Sequence, residues 1–197
     1  MDIVNIFPTP IAYDNWSGFF YNDQLHWIHR QESDVGTSHM ISKNHNVLDD
    51  PILNDLRMWI DDNIKRYYTN LLACDNEPYI TQSWINFLDK GMYTHQHSHY
   101  NSVVSGVFYL SANDRLTFYK GGSGIKINTT KDNFYNSEAY HLNVKDNMLV
   151  LFPSTLQHST PVVNDKRISI AFNTFVKGDL GKDSQLTYLE MSNASSR

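Results

Sequence analysis

The sequence predicts a mainly β fold of the α+β type, with helices first and a β-sandwich, barrel or jelly roll after them. Three observations predict it. One long amphipathic segment stands before residue 78. A series of short runs rich in β-branched and aromatic residues follows, separated by turn-forming residues. No long helical period returns after them.

Taken in order, "IFPTPIAY" alternates apolar residues around two prolines and suits an edge strand, where a missing N–H does no harm. Residues 19–31, "FFYNDQLHWIHRQ", suit a short amphipathic helix, and the polar stretch 32–50 reads as a loop. The clearest helix is "DDPILNDLRMWIDDNIKRYYTNLL". Asp50 can cap it, Pro51 suits its first turn, and Ile52, Leu56, Trp59, Ile60, Ile64 and Leu71 form one stripe for packing on a sheet. The strand runs are "YITQSWINFLDKG", "SVVSGVFYL", "RLTFYK", "GIKIN", "NMLVLFP" and "RISIAFNTF". The tail "MSNASSR" is expected to be disordered. The chain therefore reads as a single domain over 1–197: a helix and strand flank to about residue 77, a β-barrel core over 78–180, and a disordered tail at 190–197.

Bulk properties set limits on function. A chain of 197 residues buries roughly 70% of its unfolded surface on folding, enough for a true core. Its 41% apolar and 19% charged content is that of a globular protein. The net charge of −5 argues against general nucleic-acid binding, which requires a basic face. Cys74 is the only cysteine, so no intrachain disulfide forms and a cytoplasmic location is expected. The first residues lack a secretion-signal pattern, and no stretch approaches the ~20 apolar residues of a membrane span. High aromatic content, 13%, makes a homodimer an open expectation.

The chemistry concentrates in "THQHSH", residues 94–99. In an extended chain His95, His97 and His99 project to one side. A metal site needs a further ligand from elsewhere, and His158 in "LFPSTLQHSTP" is the candidate. His97, His99 and His158 would hold a metal and leave positions open for substrate or oxygen; imidazole suits iron, zinc, copper and nickel. A site shifted one step, using His95 with His97, is the alternative. His26, His29, His39, His45 and His141 read as structural or exposed. Arg167 and Ser169 follow His158 by nine and eleven residues. If "NDK" folds the chain back, they lie on a strand beside His158 and face the same interior. A buried guanidinium needs an anion, and a ligand carboxylate gripped by Arg167 and Ser169 would serve. The competing reading places Arg167 on the surface at the strand's start. A metal with a carboxylate clamp set back from it is what a keto-acid cosubstrate requires.

At this point the residues resemble a family. "H-x-H…NSVVSGVFYL" followed by "LFPSTLQHSTPVVNDKRISIAFN" is similar to the 2-oxoglutarate and Fe(II)-dependent oxygenases, and with "IFPTPI" and "SWINF" it looks most like a branch of small oxygenases of marine bacteria and phages. The resemblance implies a double-stranded β-helix, or jelly-roll barrel, flanked by N-terminal helices. It also implies Fe(II), 2-oxoglutarate and O2 as reactants, with hydroxylation of an organic substrate, small molecule or peptide, as the outcome. It puts His97 and His158 on iron-ligand positions and Arg167 and Ser169 on the Arg-x-Ser pair that holds 2-oxoglutarate. His99 stands where the family usually has Asp or Glu, so either three histidines hold the iron or two do, with His99 behind them. Asn86 and Tyr109 are further candidates to bind the cosubstrate. Tyr93, Ser102 and Asn173 are candidate cavity residues, Trp84 reads as core, Gly106 as a close-packing site and "YKGGSG" as a gating turn. Two rivals stay open: a cupin-like metal enzyme without a keto acid, since Gly91, His97 and His99 match part of that motif, and a non-enzymatic ligand-binding jelly roll.

Overall fold

The computed structural model describes residues 1–4, 6–35, 38–112, 114–121 and 128–191. Two α-helices and eleven strands are assigned among them. In chain order they are β1 (Ala12–Asn15), α1 (Asn22–His29), β2 (Ser33–Val35), β3 (Met40–Ser42), α2 (Asn54–Arg66), β4 (Pro78–Leu88) and β5 (Thr94–His97). Then come β6 (Val104–Ser111), β7 (Arg115–Tyr119), β8 (Ala139–Asn143), β9 (Met148–Pro153), β10 (His158–Thr160) and β11 (Arg167–Val176). A seven-stranded sheet runs β1-β9-β6-β11-β4-β3-β2, and a four-stranded sheet runs β5-β10-β7-β8. All the pairings within them are antiparallel, and the sheets do not close into a continuous barrel. The expected double-stranded β-helix with helices on its flank is the observed fold.

Strand alternation gives the larger sheet two different faces. On β11, Ile168, Ile170 and Phe172 join the core that includes Leu56, Ile60 and Ile64 of α2. Burying each such side chain contributes roughly 1.5–3 kcal/mol. Arg167, Ser169, Ala171 and Asn173 point the other way and line a cavity between the sheets. A second apolar cluster of Tyr109, Leu116, Phe118, Val150 and Phe152 packs between the sheets.

The main helix starts as its sequence requires. Asp50 Oδ1 accepts from the Ile52 N–H at 3.0 Å, and Pro51 opens a 3-10 turn, Pro51–Leu53, that runs into α2. Its end differs from the expected stripe. A π-helical turn, Tyr67–Leu71, follows α2 and rotates the apolar face. Tyr67 and Tyr68 are buried instead, with the Tyr68 hydroxyl 2.8 Å from Thr174 Oγ1, and Leu71 is left exposed.

Other departures share one cause: backbone pairing at a sheet edge needs no apolar pattern. The stretch 32–50, expected as a loop, contributes β2, β3 and a 3-10 turn, with Met40 opposite Phe87 and Ile41 opposite Asn86. The solvent-facing edge strand β8 has no clear alternation in sequence. The edge strand read at "IFPTPIAY" begins only after the prolines, at Ala12, opposite Leu151. "GIKIN", "YKGGSG" and the tail "MSNASSR" lie largely outside the described residues.

Gly106 sits on β6 opposite Phe172, and a Cβ there would run into the Phe172 ring and Leu151. The close-packing reading of this glycine holds. Gly106→Ala is expected to destabilise the fold by about 1–3 kcal/mol through overpacking, read as a lowered thermal midpoint.

Candidate active site

β5 and β10 lie side by side at one edge of the smaller sheet, in a register that sets His97 directly opposite His158. Their rings come within 4.4 Å, centroid to centroid. β5 ends at His97, so His99 reaches the site by a different route from strand alternation. The next segment turns back, pinned where the His99 N–H donates to the Ser154 carbonyl at 2.9 Å. The His99 ring then lies parallel to that of His158, 5.2 Å away and tilted by 6°. One ligand-capable atom from each of His97, His99 and His158 falls within 4.8 Å of the others. Among the described residues no other group of three or more His, Cys, Asp or Glu does this.

Backbone carbonyls decide which nitrogen is available. His97 Nδ1 is 2.7 Å from the His95 carbonyl and His158 Nδ1 is 2.9 Å from the Leu156 carbonyl. A carbonyl only accepts, so each Nδ1 carries the proton and each Nε2 keeps its lone pair for the centre. His99 Nε2 and His158 Nε2 are 3.4 Å apart. Two nitrogens about 2.1 Å from one ion, at angles from a right angle to tetrahedral, lie roughly 3.0–3.4 Å apart, so the His99–His158 pair is at the spacing of two ligands to one metal ion. His95 is exposed and borders the cavity without joining the cluster of three, and its carbonyl holds His97 Nδ1.

The opposite wall is the larger sheet. Arg167 is only 1% exposed, which removes the surface reading of this residue. Its Nη1 donates to the Arg115 carbonyl at 3.1 Å, and its guanidinium lies 4.7 Å from the Tyr109 ring centroid. Ser169 is flanked in register by Asn86 on β4 and Tyr109 on β6, so all three face one cavity of about 380 Å³ that also reaches the histidines. A buried cation with a hydroxyl two residues along the same face is the donor chemistry a carboxylate needs. Asn86 Oδ1 accepts from Trp84 Nε1 at 3.2 Å.

Some positions differ from expectation. Trp84, read as core, lines the cavity and stacks on His99 at 5.9 Å. Tyr93 is exposed and does not line it. The Ser102 hydroxyl is occupied by Ser154 Oγ at 2.7 Å and the Thr174 carbonyl at 3.1 Å. His39 and His45 do line the cavity. Nothing in their own segment signals this, because it depends on β3 joining the sheet.

Burial holds all three clustered imidazoles neutral. Desolvation pushes His158 down to about 3, with His97 and His99 adding charge repulsion. It pushes His99 down to about 4, helped by His97, and lowers His97 as well.

Fold and site together define a double-stranded β-helix protein with an interior histidine cluster facing a buried arginine. Residues 82–173 match the family model described as "Putative 2OG-Fe(II) oxygenase". Solved structures similar in fold include a prolyl hydroxylase from Trichoplax adhaerens in complex with a hypoxia inducible factor peptide fragment. It is 14% identical, with a TM-score of 0.62 over 84% of this chain and 83% of that one. HygX from Streptomyces hygroscopicus, with nickel, 2-oxoglutarate and hygromycin B bound, is 11% identical, with a TM-score of 0.58 over 86% and 84%. A Pseudomonas putida prolyl-4-hydroxylase is 12% identical, with a TM-score of 0.57 over 86% and 94%. At these identities the likeness establishes the fold. A search of curated proteins returned no match.

Acid behaviour follows from the lowered histidines. As pH falls below about 6.5 the unfolded chain takes up protons on these side chains and the folded metal-free protein does not. The stability they contribute is complete above that pH and is lost down to about 4 for His99 and about 3 for His158. Thermal midpoints of the metal-free protein are expected to fall through this window, and His158→Gln to flatten the lower part of the slope. Proton competition for a bound metal also sets in later than the pH of roughly 6 that free imidazole would give.

Proposed function

We propose that this protein is an Fe(II)- and 2-oxoglutarate-dependent dioxygenase that hydroxylates an organic substrate, small molecule or peptide. The observation that carries this reading is the placement of three neutral imidazoles and a buried Arg-Ser pair on opposite walls of one cavity. His97, His99 and His158 would hold Fe(II), with His99 serving where a carboxylate is usual. Arg167 and Ser169 would hold the far carboxylate of 2-oxoglutarate, with Tyr109 and Asn86 bordering it. When bound, iron and the keto acid supply O2 activation coupled to decarboxylation to succinate and CO2.

The chain's own contribution is orientation and exclusion of water. The His95 and Leu156 carbonyls fix the tautomers of His97 and His158, so no proton has to leave before a metal binds. Tyr109 supports the guanidinium through its ring face, which holds the charge at the inner end of the cavity. Phe152 packs edge-on against His158 at 4.6 Å and walls that ligand from solvent.

No helix among the described residues is long and apolar enough to cross a membrane. A single cysteine and a net charge of −5 support a cytoplasmic enzyme that does not bind nucleic acid. The "FPTP" opening supports placing it in the branch of small oxygenases from marine bacteria and phages. Paired aromatic surfaces would make it a homodimer.

Incubation with Fe(II), ascorbate and 2-oxoglutarate is expected to yield succinate without added substrate. Arg167→Ala should weaken 2-oxoglutarate binding about thirtyfold or more while leaving metal content intact, because truncating one partner of a buried charged pair costs roughly 2–5 kcal/mol. In a cupin-like enzyme the same change would matter little. Absence of both iron and 2-oxoglutarate binding by calorimetry would sink the proposal, and so would full retention of activity in His97→Ala/His158→Ala.

A further inference from the structure

The cavity has an outer polar edge that the metal and keto-acid chemistry leaves unused. Outward from Arg167, the cavity-facing residues of β11 are Ser169, Ala171 and Asn173. Each heads a row across the sheet. Ala171 lies between Trp84 and Val107, and Asn173 between Gln82 and Ser105. At the rise of a strand, the Asn173 row is about 13 Å beyond the Ser169 row. Exposure grows in the same direction, from buried Arg167 and Ser169 to half-buried Asn173 and exposed Gln82. The floor therefore reads, from the inside out, as a cationic and hydroxyl anchor, an apolar row, and a neutral amide row at the mouth.

Asn173 is held in one orientation. Its Oδ1 accepts from Ser105 Oγ at 2.8 Å, and Ser105 Oγ is 2.8 Å from the fully buried Ser154 hydroxyl. With its oxygen engaged, the amide N–H2 is what Asn173 offers a ligand. Trp84 is also fixed, its N–H tied to Asn86 and its ring stacked near His99. The indole makes a flat wall between the inner and outer polar rows. Charge gives an independent constraint. Among the described residues lining the cavity there is no Asp, Glu or Lys, and the permanent charge is that of Arg167 in the innermost row. A charged group entering past the outer row would lose water and meet no counter-charge there.

We propose that the Gln82–Asn173 row is a substrate-selecting edge, and that the substrate is an uncharged group whose amide carbonyl accepts from Asn173 Nδ2 while its body lies along Trp84. This rests on the oxygenase reading of the inner site and specifies what that site acts on. A peptide amide and a free low-mass amide share this chemistry.

The test uses the full chain loaded with Zn(II), which is redox-inert, and 2-oxoglutarate. Matched probes carrying a propanamide, a propanoate or a propylammonium group are presented once on a capped peptide and once as free molecules. Binding is followed by saturation-transfer NMR and calorimetry. The amide is expected to bind at least tenfold more tightly than either charged counterpart, and the format that binds identifies the source. Asn173→Asp keeps an acceptor for Ser105 but replaces the N–H2 with a carboxylate oxygen. It should lower amide affinity at least tenfold and make the ammonium probe the preferred one. Asn173→Ala should lose amide affinity at least tenfold relative to its 2-oxoglutarate affinity, with melting curves confirming that both variants fold. A charged probe binding best to the unmodified protein, no amide probe binding, or an unchanged preference in Asn173→Asp would overturn the proposal. Failure of Zn(II) or 2-oxoglutarate to bind appears before any probe is added and overturns the oxygenase reading along with it.

Discussion

Alternation along the central strand β11 is the constraint on which the rest of the molecule depends. Successive side chains must go to opposite faces of the sheet. One face carries Ile168, Ile170 and Phe172 into the helical core, and the other carries Arg167, Ser169, Ala171 and Asn173 into the cavity. A slip of one residue would bury an arginine against α2 and turn three large apolar groups into the site. The hydrophobic effect on the outer face therefore fixes the register of the polar groups on the inner face. The neighbours β4 and β6 repeat this division, with Ile85 and Phe108 facing the helices, and Asn86 and Tyr109 the cavity.

The histidine wall is held differently. It belongs to the smaller sheet, where hydrophobic burial is thinner and main-chain polar groups do the positioning. Two carbonyls hold the imidazole N–H groups of His97 and His158, and a third accepts from the His99 amide. Desolvation keeps the rings neutral, which is the state a metal ligand needs. A site of three neutral ligands carries one more positive charge than a site with two histidines and a carboxylate. Arg167 across the cavity adds to that, so the pocket as a whole suits a dianionic keto acid.

Much of this was legible in the residues. Short β-branched runs separated by turns read as antiparallel strands, and the stripe from Leu56 to Ile64 read as a helix packed on a sheet. Arg167 and Ser169 were legible as a pair because alternation binds them to one face. The positions that differ do so for separate physical reasons. Trp84 looked like core because its size and hydrophobicity do not distinguish a packed interior from a cavity wall. His39 and His45 looked incidental because β2 and β3 are only three residues long, too short to show an alternating pattern, and join the sheet through backbone hydrogen bonds. Leu71 fell off its stripe because a π turn changes the period that the stripe assumes.

The sequence by itself determined the strand alternation, the helix and its cap, and the residue types that bring chemistry, since these depend on neighbours a few positions apart. Tertiary structure alone decided that His99 and not His95 completes the cluster. In an extended chain the two are equivalent, and what separates them is the hydrogen bond from the His99 amide to the carbonyl of Ser154, which lies on another part of the fold. It likewise decided that Arg167 is buried and that the Asn173 amide oxygen is held at the cavity edge. Both depend on partners far away in the chain, Tyr109 and Arg115 for the one and Ser105 for the other, and no local pattern encodes them.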